Sequence, residues 1–204
     1  MYPQIPPLVK LIAIDPGSRH CGISFFTIDF INKKIIRIES KTIHPDTLVN
    51  DTGLSQGDVP DYVIRHYKLR NAILRELKEF QPDYIAYEGP FFNSLQPSAF
   101  GSLMATMTII RDCVYEYRIG LPFTVMQPSV VKMAVSVAGK KGKEIVVEAL
   151  KKIDEIMNVL VTDIDSLDDN GVDSIAVGYA FVLYHIQKSN ESLPVKGKKN
   201  AKSV

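Results

Sequence analysis

Three acids in this chain sit at the borders of apolar runs, where a carboxylate needs a reason to be. Asp15 ends Leu11-Ile12-Ala13-Ile14 and precedes Pro16-Gly17; Glu88 ends Tyr84-Ile85-Ala86-Tyr87 and precedes Gly89-Pro90; Asp173 opens onto Ser174-Ile175-Ala176-Val177. A carboxylate at the end of a core strand is costly unless something positive meets it, and strand ends are common sites of chemistry in α/β sheets. A metal, a phosphate-bound cation or an arginine would meet that need at Asp15. An Asp before Pro-Gly also caps turns with no ligand at all. Asp169 and Asn170 lie four and three residues before Asp173, so on a helix they share its face. Acids at a helix start satisfy the macrodipole, which accounts for Asp168 and Asp169 better than for Asp173. Carboxylates gathered closely cannot all stay ionised without a cation. Hard oxygen donors select Mg²⁺ or Mn²⁺. Two such ions about 3.5–4 Å apart would activate a water and stabilise a leaving 3′-oxygen in phosphodiester cleavage.

The elements that must position these acids follow from hydrophobic period and punctuation. Leu11–Ile14 is short and isoleucine-rich, as a central strand covered on both faces would be. Strands are predicted over 22–28 and 35–43, with a turn at Asn32-Lys33-Lys34, so three strands in succession form an antiparallel meander. A loop over 44–61 follows. Asp61 is expected to cap a helix over 61–80 with a Leu69, Ile73, Leu77, Phe80 stripe, ended by Pro82. A helix between two strands of one sheet makes them parallel neighbours. Asp15 and Glu88 then fall at the same end of adjacent strands, about 4.8 Å apart. Further elements are a helix over 98–117, a strand over 122–126, a helix from Pro128, a helix over 143–157 and a helix from about 168 to 186. Ala176, Gly178 and Ala180 give that last helix a small-residue face for close approach to the sheet.

Other residues suit contact with a polymer. Phe91 and Phe92 are adjacent aromatics beside the second acid; one or both could stack on a base, or one could plug the core while the other covers a helix. The loop Gly139-Lys140-Lys141-Gly142-Lys143 combines backbone amides with amines, which favours phosphate. A solvated turn carrying charges fits the same residues.

A hydrophobic fraction of 46% over 204 residues supports one sizeable core. No apolar run is long enough to span a bilayer, and the proline-rich start lacks a signal-peptide core. Cys21 and Cys113 have no metal-type spacing and read as reduced thiols of an intracellular protein. Net charge is +1, yet 188–204 holds five lysines against one glutamate. Such a tail fits a nucleic-acid arm or a solubilising disordered end. The expected organisation is an extension over 1–10, a nuclease domain over 11–187 and a disordered basic tail over 188–204.

Read together, these segments resemble the RuvC-type Holliday junction resolvases of the RNase H-like superfamily. Ile14-Asp15-Pro16-Gly17-Ser18-Arg19 with Gly22 is similar to the family's opening motif. Gln81-Pro82-Asp83-Tyr84, Ala86 and Glu88 resemble the second; Val131-Lys132, Val135 and the Gly/Lys loop the third; Asp173–Val177 the last. The resemblance implies an α/β fold with a five-stranded mixed sheet flanked by helices on both faces. It also implies a homodimer that nicks opposed strands of a four-way DNA junction. Asp15, Glu88 and Asp173 match the family's metal-binding acids. The fourth acid normally lies three residues before the last, where this chain has Asn170; Asp169 is favoured in its place because a charged oxygen holds a divalent cation better. Lys132 and Lys143 match positions that meet DNA phosphate, with Lys140, Lys141 and Arg19 grouped with them. Phe91 matches the aromatic that stacks at the junction centre, and Phe92 could substitute. These departures suggest a divergent member, phage-encoded or organellar.

Three other readings compete. A nuclease of the same fold could act on flaps, other branched DNA or RNA. Asp-x-Gly at a first turn also occurs in actin-like and sugar-kinase folds, but these need two lobes and leave Glu88 unexplained. A non-catalytic DNA-binding dimer would gain nothing from acids that repel phosphate. A helicase partner is not legible.

Overall fold

The computed structural model describes residues 7–51, 53–55, 57–90, 97–138 and 144–187. Five strands form one sheet in the order β3-β2-β1-β4-β5. Strands β1 (Leu8–Asp15), β2 (Cys21–Asp29) and β3 (Lys34–Ile43) make the antiparallel meander. Helix α1 (Asp61–Phe80) then crosses to β4 (Tyr84–Glu88), which pairs parallel with β1. Helix α2 (Pro97–Tyr117) leads to β5 (Phe123–Met126), parallel to β4. The remaining helices are α3 (Pro128–Ala134), α4 (Glu144–Leu150), α5 (Asp154–Met157) and α6 (Asp169–Phe181), the last running into a π-helical turn over Val182–Gln187. This is the mixed five-stranded α/β architecture expected.

Alternation along β1 and β4 divides the core in two. Ile12, Ile14, Ile85 and Tyr87 face α1 and α2, where they meet Leu69, Ile73, Leu77 and Ile110. Leu11, Ala13 and Ala86 face the other way, toward Val131 of α3 and Val172, Ile175 and Ala176 of α6. The small face of α6 does permit close approach: a β-carbon on Gly178 would fall 2.1 Å from the Phe26 ring. Both cysteines are buried and unpaired, and burial pushes each thiol up to about 12. Among the described residues no helix is long and apolar enough to cross a membrane.

Several boundaries differ from expectation. Strand β1 starts at Leu8, so a boundary at residue 10 cuts through it; the Lys10 amide donates to Asp83 and its ammonium to the Phe80 carbonyl. Pro60 occupies the cap of α1 and Asp61 is its first helical residue; Gln81, left-handed at φ 55°, closes it before Pro82. The single helix expected over 143–157 is two. In a straight helix Leu150 and Ile156 would diverge by about 120°, whereas the turn between α4 and α5 lets both be fully buried. Val159–Val161 runs along the outer edge of β3, with the Ile38 amide donating to Val159 and the Val161 amide to Ile38.

Candidate active site

Register decides which way the acids face. The β1–β4 pairing runs from Leu11↔Tyr84 to Ile14↔Tyr87, which places Asp15 beside Glu88 one step further along. Asp15 shares the parity of Leu11 and Ala13, and Glu88 that of Ala86. Both therefore point to the α6 side, about 4.8 Å apart in the sheet. Opposite Asp15 on its other flank is Gly22 of β2. The first turn of α6 rests on that glycine through the Asn170 main chain. Asp168 caps the helix by accepting from the Gly171 amide at 3.0 Å and from the Thr42 hydroxyl. Asp173, one turn on, is near enough for its charge to act on both Asp15 and Glu88.

Electrostatics register this convergence. Burial, then the charges of Glu88, Asp173 and Asp168, hold the Asp15 carboxyl well above the usual carboxylate range. Burial and Asp173 push Glu88 up from 4.5 to about 7, while the Lys132 ammonium pulls it back. Sequence-distant acids in this relation destabilise one another unless protonated or bridged by a cation. The donor set is hard oxygen, which fits Mg²⁺ or Mn²⁺ better than a softer ion.

A cavity of about 860 Å³ opens beside the rim. Glu88, Asp169, Asn170 and Asp173 line its acidic wall and Lys132 faces them, over a floor that includes Val131 and Val135. Asp169 and Asn170 both line the cavity. Lys132 is exposed on α3 as phosphate contact requires. Arg19 is exposed on the β1–β2 turn at the same end of the sheet, where its charge acts on Asp46. Phe91, Phe92, Lys140, Lys141 and Lys143 lie outside the described residues.

Sequence reasoning passed over two features of the site. One is Asp168, read only as a helix-start acid, whose charge reaches Asp15. The other is a buried hydroxyl cluster behind Asp173. The Ser24 hydroxyl donates to Ser40 at 2.9 Å, and the Ser40 and Ser174 hydroxyls each donate to the Gly171 carbonyl at 2.8 Å. Ser24 also contacts Ser174 directly. Each serine lies on a separate element, so only the α6 packing reveals them as a unit. Ser24, set between Ile23 and Phe25 on β2, was the available signal.

The fold is that of an RNase H-like α/β protein. No family model matches the chain. A curated relative, the crossover junction endodeoxyribonuclease RuvC of Finegoldia magna, is 29% identical over 181 residues, covering 86% of this chain and 93% of the relative. Among solved structures, RuvC of T. thermophilus in complex with a Holliday junction substrate superposes with a TM-score of 0.66 at 19% identity, covering 89% of this chain and 97% of that one. The yeast mitochondrial Holliday junction resolvase Ydc2 gives 0.61 at 14% identity, covering 92% and 83%. The chain is thus similar to RuvC-type Holliday junction resolvases, in sequence at modest identity over most of its length and in fold.

Proposed function

We propose that this chain is a metal-dependent, structure-selective DNA endonuclease that resolves four-way junctions, two copies acting together on opposed strands. The convergence of Asp15, Glu88 and Asp173 on one sheet rim, with Lys132 across the cavity, carries the reading. Asp15, Glu88 and Asp173 would hold Mg²⁺ or Mn²⁺, two ions in the full site, with Asp169 favoured over Asn170 as the fourth ligand. Bound divalent ions supply Lewis acidity at the scissile phosphate and lower the pKa of the attacking water. The chain's own residues do the rest. The strand-end carboxylates fix where phosphate can approach, and their mutual repulsion disfavours phosphate until a cation is present. The Lys132 ammonium offsets charge on the phosphate backbone and on Glu88. Lys140, Lys141, Lys143 and Arg19 are proposed to track the backbone of the arms, and Phe91 or Phe92 to stack on an exposed base.

Incubation with synthetic four-way junctions, flaps and linear duplex, in Mg²⁺ or EDTA, tests the reading. Symmetric nicks in the four-way substrate, lost in EDTA, are expected. Equal cleavage of flaps or linear duplex would overturn junction selectivity and favour a broader nuclease of the same fold.

A further inference from the structure

A second group of ligating side chains lies at the same end of the sheet and uses none of Asp15, Glu88, Asp169 or Asp173, although it includes Asp168, the α6 cap whose charge reaches Asp15. The Cys21↔Ile43 pair closes the β2–β3 register, so His20 and His44, one step beyond, face each other across it. Their Nδ1 atoms are 3.0 Å apart, with the rings edge-on at 5.0 Å. Asp168 Oδ2 stands 3.6 Å from His44 Nε2. One ligand atom from each of the three residues lies within 4.8 Å of the others.

We propose that His20, His44 and Asp168 bind one divalent transition-metal ion, of which Zn²⁺ is the natural occupant. Two donor atoms each about 2.1 Å from a shared ion, at angles between square and tetrahedral, stand about 3.0–3.4 Å apart. The His44 Nε2–Asp168 Oδ2 separation of 3.6 Å is close to that bite, and one ring nitrogen of His20 lies within 4.8 Å of the donors that His44 and Asp168 offer. Asp168 is oriented for the role: Oδ1 is taken by the Gly171 amide and the Thr42 hydroxyl, which leaves Oδ2 turned to His44 Nε2. Such fixed carboxylates are how proteins aim a metal ligand. Two imidazoles and one carboxylate form a borderline donor set that selects Zn²⁺, Co²⁺ or Ni²⁺ and is a poor match for Mg²⁺. The side chains of His44 and Asp168 remain 41% and 38% exposed, so an ion has a path in and room for water ligands.

The three ligands come from the β1–β2 turn, the end of β3 and the cap of α6. An ion there would clamp the start of α6 to the sheet beside Asp15. The site does not depend on the nuclease reading and stands or falls by metal binding alone.

Co²⁺ titration of the full chain carrying Glu88→Gln and Asp173→Asn isolates this site from the rim. One equivalent of Co²⁺ with visible absorption is expected, displaced by Zn²⁺ and untouched by millimolar Mg²⁺. Adding His20→Ala or His44→Ala should weaken binding at least 10-fold. Absence of Co²⁺ binding, or binding unchanged by both histidine variants, overturns the site. Should the double variant fail to fold, the single variant Asp173→Asn in saturating Mg²⁺, which occupies what remains of the rim, provides the measurement: Zn²⁺ raises its Tm, and adding His20→Asn abolishes the rise. A rise that persists in His20→Asn overturns the site equally.

Discussion

Gly22 lies directly beneath Asn170: a β-carbon on Gly22 would fall 1.8 Å from the Asn170 carbonyl oxygen. Gly22 is also the cross-strand partner of Asp15. One hydrogen atom in place of a methyl therefore sets the height of α6 above the strand that carries the first acid. Gly22→Ala must lift the helix start or bend β2. Overpacking of this kind costs about 1–3 kcal/mol, so thermal unfolding should shift down. Junction cleavage should fall further than stability explains, because Asp173 moves with the helix. Full activity with a lowered Tm would separate the two effects and remove Gly22 from site geometry.

Without divalent ions, stability should fall as pH rises. Burial and the nearby Asp173 raise the Glu88 pKa to about 7 in the folded chain, against 4.5 when unfolded. Between those values the folded state holds the extra proton. Its stabilising contribution is complete below about pH 4.5 and lost as pH climbs through 7, a drop of up to about 3 kcal/mol. Asp15 shifts in the same direction and adds to the slope. Urea midpoints in EDTA at stepped pH measure it. Glu88→Gln should flatten the curve, and saturating Mg²⁺ should reverse it. Lys132→Ala should extend the falling limb to higher pH, since the ammonium it removes holds Glu88 down.

The serine cluster behind Asp173 should matter to metal affinity as well as to stability. Ser40 bonds to Ser24 and to the Gly171 carbonyl, and Ser174 follows Asp173 in the chain. Ser40→Ala strands buried partners, at a cost of about 1–3 kcal/mol. The Mg²⁺ concentration for half-maximal cleavage should rise too. An unchanged Mg²⁺ requirement would confine the cluster to packing.

Asp169 and Asn170 can be told apart by exchange. Asp169→Ala should raise the Mg²⁺ requirement at least about 10-fold, the scale found even for groups that only orient a ligand. Asn170→Ala should change it little, because the Asn170 contact with β2 is made by its main chain. The reverse pattern would assign the fourth ligand to Asn170, and equal negligible effects would exclude both.

Periodicity carried the fold a long way. The bounds of β4 were legible to the residue because Pro82 and Gly89 bracket a short run that is apolar up to Glu88, and the span of α1 because its stripe is regular, although its cap is Pro60 rather than Asp61. The parallel β1–β4 pair followed from the intervening helix, and with it the Asp15–Glu88 adjacency. The π-helical end after α6 and the turn between α4 and α5 were not legible. Leu150 and Ile156, and Val182 and Ile186, belong to the same core cluster as Phe26 and Ile38, residues far away in the chain. The imidazole pair was invisible for the same reason: His20 and His44 are neighbours only once the β2–β3 register is fixed, and Asp168 joins them only through the α6 cap.

The segment laid against β3 has a further consequence. The outward main-chain groups of Ile38 are taken by Val159 and Val161, and those of Ser40 by the Thr162 hydroxyl. That margin of the sheet is closed to strand addition, which is how open β structure otherwise recruits foreign chains and aggregates. At the opposite margin β5 offers only the four residues Phe123–Met126. Self-association by continuous sheet is thereby disfavoured on both flanks.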